Sequence, residues 1–360
     1  MSIRKLFFSV IVVLMISVVG CNQTDDSSGS GVVAYLTIPQ ANEVTGFHID
    51  ETSGSLSKVS GSPFLTGASP FAVSIHPSKT FVYVADALDN DVVTYSDEGG
   101  TGTLVEVPPR VAVGTTPIAL ANDPTGHFLF VANSGSGNIS VFSIGNDGKL
   151  TEAANSPVQV GSGPSALKVS NSGEFLYVSN SNSLSISAFS INSGSGALTP
   201  VPGSPVNIGA APLGMAIDPN DKFLYVALPQ QSGFTGFSIE PNTGTLSSIT
   251  PVPFTAGTTP VSIAANGTYI YVANLGSNDV SAYTYDAVTG LATPLSDSPF
   301  TAGTGPTSVA IDPSGAFVYV ANGQSKNISG FKVATDTGKL NAIDGSPFST
   351  ASAATSIAIQ

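Results

Sequence analysis

The 360-residue sequence predicts an all-β protein: a seven-bladed β-propeller with four antiparallel strands in each blade. Three observations support this prediction. An aromatic motif recurs seven times, each copy is patterned as short strands, and the two ends of the chain complete one another. The repeat also decides the number of domains, because a length of 360 residues would by itself suggest two or three.

The repeat is built on an apolar–aromatic–apolar core, usually followed by Ala or Ser, as in Val318-Tyr319-Val320-Ala321. A glycine follows the central aromatic residue of each core after 18 or 19 positions. Successive central aromatic residues are 46 to 48 positions apart, at Tyr35, Tyr83, Phe130, Tyr177, Tyr225, Tyr271 and Tyr319. The glycines are Gly54, Gly102, Gly148, Gly196, Gly244, Gly290 and Gly338. A period of this length is typical of a propeller blade.

Each copy reads as four short strands, which residues 306–348 illustrate. Residues 307–311 are mainly β-branched or apolar, and Asp312-Pro313-Ser314-Gly315 is typical of a turn. The aromatic core at 317–321 forms the second strand, residues 328–333 alternate as the third, and Leu340 begins the fourth.

The chain ends predict how the ring closes. The repeat region begins with a second-strand copy at 32–36 and ends with a first-strand copy at 355–359. We therefore expect the C-terminal strand to take the innermost place beside the three N-terminal strands. Six whole blades and one composite blade then make a single domain over residues 32–360, with no free innermost edge.

The N-terminus is patterned for export. Arg4 and Lys5 precede an apolar run, and small Gly20 precedes Cys21, so residues 1–20 are predicted to be a signal peptide. The string Val18-Val19-Gly20-Cys21 resembles a bacterial lipobox, which implies that Cys21 is the lipid attachment site. The alternative is an ordinary signal peptide with an incidental cysteine. Residues 21–31 are polar and rich in Gly and Ser, as expected of a flexible tether. The predicted location is the cell envelope, lipid-anchored and facing the periplasm or at the cell surface.

Composition excludes several classes of function. The net charge is −13, and it becomes −15 when the predicted signal and its two cations are removed. So acidic a chain is a poor candidate for binding nucleic acid. A single cysteine rules out an internal disulfide framework and a cysteine-rich metal site. We expect no cofactor and no metal, a monomer, and a membrane association that runs through the lipid.

The repeat resembles known families. Asp312-Pro313-Ser314-Gly315 followed by residues 317–322 resembles the YVTN-type propeller repeat. The Ser-Pro-Phe and Thr-Gly-x-Leu elements resemble the lactonase-type seven-bladed propellers, a family that includes 6-phosphogluconolactonases and is related to carboxymuconate cyclases. The resemblance covers residues 32–360 and implies a lactone as one class of substrate. The related cyclases imply a site made of His, Glu and Arg.

The residues for such chemistry are scarce. Arg110 is the only arginine beyond the signal and is expected at an outer strand, so an arginine clamp for a phosphate is not available. His76 is the best histidine candidate for an acid or base, although its column in the repeat is otherwise a turn position. Lys168 lies in a predicted innermost strand, at a position of the repeat where the other copies have a small residue. There it could face a ligand or pair with an acid. Glu43 and Glu174 complete the catalytic candidates.

Two functional hypotheses follow. In the first, the protein is an envelope lipoprotein that displays a propeller as a binding or interaction scaffold for an unidentified small molecule, glycan or protein. In the second, it is a lactonase-type hydrolase acting on an exported, unphosphorylated lactone. Scarce cations and scattered histidines favour the first, and family resemblance supports the second.

Overall fold

The computed structural model describes residues 31–250 and 252–360, and of Glu98 it describes the backbone alone. Seven antiparallel sheets follow one another along the chain, each formed by one repeat or, in one case, by the two chain ends. The predicted seven-bladed propeller is therefore confirmed. Each sheet has the four expected strands in order, and a fifth strand of two residues also pairs with the third. The predicted signal peptide, Cys21 and the tether up to residue 30 lie outside the described residues.

The strands are numbered in chain order, and blade 1 is the composite blade. Its strands are β1 (Val33–Ile38), β2 (Glu43–Ile49), β3 (Leu56–Lys58), β4 (Phe64–Leu65) and β35 (Ser356–Ile359). Blade 2 contains β5 (Pro70–Ile75), β6 (Phe81–Asp86), β7 (Asp91–Asp97), β8 (Leu104–Glu106) and β9 (Val111–Ala112). Blade 3 contains β10 (Pro117–Asn122), β11 (Phe128–Asn133), β12 (Asn138–Ile144), β13 (Leu150–Glu152) and β14 (Val158–Gln159).

The remaining four blades have the same arrangement. Blade 4 contains β15 (Pro164–Val169), β16 (Phe175–Asn180), β17 (Ser185–Ile191), β18 (Leu198–Pro200) and β19 (Val206–Asn207). Blade 5 contains β20 (Met215–Ile217), β21 (Phe223–Leu228), β22 (Gly233–Ile239), β23 (Leu246–Ser248) and β24 (Phe254–Thr255). Blade 6 contains β25 (Pro260–Ala265), β26 (Tyr269–Asn274), β27 (Asp279–Tyr285), β28 (Ala292–Pro294) and β29 (Phe300–Thr301). Blade 7 contains β30 (Pro306–Ile311), β31 (Phe317–Asn322), β32 (Asn327–Val333), β33 (Leu340–Ala342) and β34 (Phe348–Ser349).

Helical structure in the described residues is limited to two short 3-10 turns, Glu98–Gly100 and Pro229–Gln231. Within residues 31–250 and 252–360, no helix has the length and apolarity needed to cross a membrane.

The ring closes as the chain ends predict. Strand β35 lies antiparallel to β1, with Ala34 opposite Ile359 and Thr37 opposite Ser356. The Tyr319 hydroxyl of blade 7 donates to the Gly54 carbonyl of blade 1 over 2.7 Å, so side chains also bridge the closure. Blade 1 is thereby completed by both ends of the chain, and its innermost edge is paired.

The hydrophobic core is divided among the blade interfaces. Seven clusters of buried apolar residues are present in the described structure, and each joins two neighbouring blades. For example, Tyr319 and Phe317 of blade 7 pack with Phe47 and Ile49 of blade 1. The aromatic column of the repeat thus supplies the largest buried side chains, and burial between sheets holds the ring together.

The Ser-Pro element of the repeat has a hydrogen-bonding role. In blade 1, Ser62 Oγ accepts the Gly46 backbone N–H over 2.9 Å, just before the two-residue strand β4. Ser156, Ser204, Ser298 and Ser346 accept the corresponding N–H groups of Val141, Ala188, Ala282 and Gly330. Each serine satisfies an N–H of the third strand that would otherwise lack a partner there. The element is therefore structural.

Candidate functional site: the central cavity

A cavity of about 890 Å³ lies on the axis of the ring, and the innermost strand of every blade contributes to its wall. These strands are β5, β10, β15, β20, β25, β30 and β35. The volume is within the range of small-molecule sites in proteins. The cavity is the place where all seven repeats can act on one ligand.

The wall of the cavity is built mainly from small and aliphatic residues. Several of its hydroxyl groups are already engaged between neighbouring innermost strands. Ser262 Oγ accepts the Val309 N–H over 3.1 Å, and Ser308 Oγ accepts the Ile357 N–H over 3.4 Å. The Thr307 hydroxyl donates to the Ala354 carbonyl over 2.9 Å. These polar side chains therefore hold the strands in place and have limited capacity for a ligand.

Lys168 is the only cationic side chain among the described residues that line the cavity. It lies on β15, opposite Tyr177 of β16, and its side chain is open to the cavity. The surrounding wall removes part of its hydration, and this desolvation lowers the pKa of Lys168, with no nearby charge contributing. The three ion pairs of the described residues are Arg110–Glu106, Lys149–Asp147 and Lys339–Asp297, and none of them includes Lys168.

His76 lies beside the cavity but is engaged elsewhere. Ile75 and Pro77 on either side of it line the cavity, whereas the His76 ring reaches towards blade 3. Its Nε2 lies 2.8 Å from the Gly126 carbonyl oxygen, and its Nδ1 lies 2.6 Å from Ser78 Oγ. Both ring nitrogens have protein partners, so in this arrangement His76 joins two blades and is not presented to the cavity.

The two glutamates predicted as candidates are also remote from the cavity wall. Glu43 is the first residue of β2 and lies opposite Leu65 of β4. Glu174 is exposed in the turn before β16. Of the four catalytic candidates, the structure thus places Lys168 alone on the wall of the cavity. Arg110 pairs with Glu106 through two hydrogen bonds of 2.8 and 3.0 Å beside the outer strands of blade 2, as its column predicts.

Asn122 is a feature of the cavity that the sequence analysis missed. Its Nδ2 donates to Ser74 Oγ over 2.8 Å and to the Ile75 carbonyl over 3.1 Å, which links blades 3 and 2. The sequence did contain an indication of this residue, because Asn122 is polar and the corresponding positions in the other blades are all apolar. They are Ile75, Val169, Ile217, Ala265, Ile311 and Ile359.

The described residues contain no group of three or more His, Asp or Glu side chains placed to hold a metal ion. Asp123, the only acid on the wall of the cavity in the described structure, is used by its own turn: its Oδ1 accepts the Phe128 N–H over 2.6 Å. The cavity as built can bind a small molecule and offers one ammonium group.

Solved structures share this architecture. A Bacteroides fragilis protein described as a "putative 6-phosphogluconolactonase" is 20% identical, with a TM-score of 0.82 over 93% of this chain and 99% of that one. The Pseudomonas aeruginosa periplasmic gluconolactonase is 17% identical, with a TM-score of 0.75 over 91% of this chain and 98% of that one. At these identities the similarity shows the fold alone. No curated protein matches the sequence.

The family follows from the sequence model that the chain matches. The model described as "Lactonase, 7-bladed beta-propeller" matches three overlapping segments, residues 26–163, 154–258 and 249–354. Together these segments cover most of the chain and nearly all of the ring. The repeat, the closed seven-bladed fold and this match agree, and the chain belongs to the lactonase family of seven-bladed β-propellers.

Proposed function

We propose that this lactonase-family propeller is a binding protein of the cell envelope, which takes up a small molecule in its central cavity without transforming it. The observation that carries the proposal is the cavity itself: about 890 Å³, walled by all seven blades, with a single ammonium group and no neighbouring acid–base pair among the described lining residues. Hydrolysis of a lactone requires a base and stabilisation of the oxyanion, in addition to a place to bind.

To test this proposal, the purified protein is titrated with a panel of neutral lactones and small carboxylic acids. Binding is followed through the methyl signal of Met215, which lines the cavity, and hydrolysis is followed by release of acid. We expect saturable shifts of the Met215 signal without turnover. Turnover above the uncatalysed rate would contradict the proposal. If that turnover were also lost on Lys168→Ala, the hydrolysis would be placed in the cavity.

The second candidate is a lactone hydrolase, and membership of the family favours it. The similar Pseudomonas aeruginosa protein is named a periplasmic gluconolactonase, which is consistent with an exported, unphosphorylated lactone as substrate. A phosphorylated sugar lactone is a poor fit, because the described cavity wall carries one lysine and no arginine to hold the phosphate. The same panel separates this candidate from the first.

The proposed location rests on the sequence of the first 31 residues. Lipidation at Cys21 would tether the ring to a membrane through the Gly/Ser-rich segment that follows. The variant Cys21→Ser should move the protein from the membrane fraction to the soluble fraction. A variant that stayed with the membrane would show that the association does not depend on a lipid at this cysteine.

A further inference from the structure

Lys168 is not needed to build the propeller. Every innermost strand has a residue at the same position of the repeat, and in the other six blades that residue is small. These residues are Ser74, Ala121, Ala216, Ala264, Ala310 and Ala358. Six blades therefore form their innermost strand and pack against their neighbours with a side chain of one carbon or a hydroxymethyl group. The lysine of blade 4 adds a long cationic side chain that the fold does not require.

The charge of this lysine has no counter-ion in the described structure. None of the ion pairs includes it, and the one acid that shares the cavity wall, Asp123, accepts hydrogen bonds from the backbone N–H groups of Phe128 and Thr125. Desolvation of Lys168 without a compensating charge disfavours its ammonium form, and this lowers the pKa of Lys168. A bound anion would offset that cost.

The charge of the wall limits the charge of the ligand. With one lysine and no arginine among the described lining residues, the cavity can neutralise a single negative charge. A phosphate monoester carries between one and two charges at neutral pH and would keep part of its charge uncompensated. A carboxylate carries one charge and forms a short charge-assisted hydrogen bond with an ammonium group.

The remaining residues of the cavity wall favour a ligand whose body is apolar. The strand next to Lys168 in the ring, β20, contributes Ile217, and Ile311 and Ile359 lie further round the wall. The wall hydroxyl groups described above are engaged between strands, so they contribute few free partners for a ligand rich in hydroxyl groups. An apolar body gains from contact with such a surface, whereas a polyol would lose hydrogen bonds with water.

We propose that the central cavity binds a small organic monocarboxylate with an apolar body, and that Lys168 holds its carboxylate. This inference rests on the proposed binding function and names the class of ligand. Lys168 is the anchor, and the aliphatic wall on either side of it selects the body.

The experiment compares three probes of one chain length: sodium hexanoate, hexanamide and hexyl phosphate. Each is titrated by calorimetry into the full protein, and the signal of the Lys168 ε-methylene is followed by NMR as pH is varied. We expect hexanoate to bind at least ten times more tightly than hexanamide and more tightly than hexyl phosphate. Saturation with hexanoate should also raise the pKa of Lys168, because the carboxylate stabilises the ammonium form.

Three variants test the role of the side chain. Lys168→Met should bind hexanoate no better than hexanamide, and Lys168→Arg should keep most of the affinity. Both are expected to fold, because six blades have a different residue at this position. Lys332→Met is the matched control: it removes an exposed lysine of β32, outside the cavity lining, and should bind hexanoate as the unaltered protein does.

The outcomes separate this inference from the proposed function. If hexanamide binds as well as hexanoate, or Lys168→Met binds hexanoate normally, Lys168 is not the anchor, although the cavity still binds ligands. Tighter binding of hexyl phosphate, or an equal response of the lysine signal to chloride, would overturn the monocarboxylate class. If neither these probes nor the lactone panel move the Met215 signal, the binding function itself is wrong.

Discussion

At the scale of single residues, Asp86 is a buried carboxyl group at a position of the repeat that is mostly asparagine. It is fully buried at the end of β6, where four other blades have an asparagine. In blade 6 that asparagine, Asn274, donates its Nδ2 to Asp279 Oδ1 over 2.7 Å. Blade 2 has Asp91 at the position of Asp279, and Asp91 Oδ1 is buried without a hydrogen-bond partner. Two carboxyl groups thus replace an amide and a carboxylate, and a proton on Asp86 can stand in for the missing amide N–H.

Burial raises the pKa of Asp86 to about 7. The hydrogen bonds from Thr66 and Gly67 oppose the shift, the charge of Asp91 adds to it, and Arg110 reduces it. The pKa of Asp91 is also raised, chiefly by burial, with Arg110 opposing and with Asp89 and Glu106 adding. Tyr95 lies close to the same groups. Blade 2 therefore holds two carboxyl groups that bind protons more readily than usual, and Asp86 does so near neutral pH.

The raised pKa of Asp86 makes the stability of the folded protein depend on pH. A carboxyl whose pKa is higher in the folded than in the unfolded chain stabilises the protein fully at low pH. That contribution is lost as pH rises from about 4 to about 7. For Asp86 the loss amounts to at most about 4 kcal/mol. Asp86→Asn introduces the asparagine that four other blades have at this position, so it should remove this dependence and raise stability at pH 8.

Urea unfolding midpoints measured from pH 4 to pH 8 test the prediction. Asp286→Asn serves as the control, because Asp286 is an exposed turn residue whose pKa is lowered by hydrogen bonds from Thr289 and Val288. An unchanged pH dependence in Asp86→Asn would show that Asp86 does not hold a proton in the folded protein.

At the scale of elements, the central aromatic residue of one repeat contacts the repeat glycine of the next blade. In six of seven blades the tyrosine hydroxyl donates to the carbonyl of the repeat glycine in the next blade, as Tyr177 does to Gly244 over 3.0 Å. These glycines have φ between 68° and 76°, and in six of the seven a Cβ would collide with an aromatic ring of the preceding blade. The repeat spacing therefore encodes contacts between blades as well as strands within them.

Tyr177→Phe tests the value of this contact. It removes the hydroxyl and leaves the buried Gly244 carbonyl without that donor, so we expect a loss of about 1 kcal/mol in the free energy of unfolding. Blade 3 has Phe130 in place of the tyrosine, which shows that the ring forms with one such bond missing. The measurement is urea denaturation. Phe130→Ala is the comparison, with an expected loss of about 3 kcal/mol or more, because it empties a packed site. Equal stability of Tyr177→Phe and the unaltered protein would show that the hydroxyl contributes nothing.

At the scale of the whole molecule, stability depends on closing the ring. Strand β35 covers the inner edge of β1, and Ile357 packs between blades 7 and 1. The chain termini thereby join one cooperative structure in which each blade has two neighbours. An open ring would expose both an unpaired strand edge and an apolar blade face.

Removal of residues 355–360 should therefore lower the unfolding free energy by at least about 3 kcal/mol, the scale of losing one large buried apolar side chain. We also expect association through the freed edge of β1. Thermal denaturation followed by circular dichroism measures the first effect and gel filtration the second. The milder change Ile357→Val should cost about 1 kcal/mol and should not promote association, because it leaves β35 in place. A truncated chain that melted together with the full chain would show that closure does not depend on β35.

Much of this architecture was predictable from the sequence, because a repeated structural unit produces the same residue types at regular spacing along the chain. The period, the four main strands of a blade and the composite first blade follow from residues that recur at fixed distances, and closure follows from two incomplete copies. The additional two-residue strands were not predicted. They are too short to have a hydrophobic period, and they form through pairing with the third strand next to Ser-Pro.

The candidate site was predictable only in part. The sequence by itself marked Lys168 as an exception in a column of small residues. Only the tertiary structure decided that this exception lines a central cavity, that His76 is engaged by Gly126 and Ser78, and that Asp86 lies beside an unpartnered carboxylate oxygen. The physical reason is that the fold depends on residue types repeated along the chain. A site depends instead on which side chains from different blades converge, and on how much water their surroundings leave them.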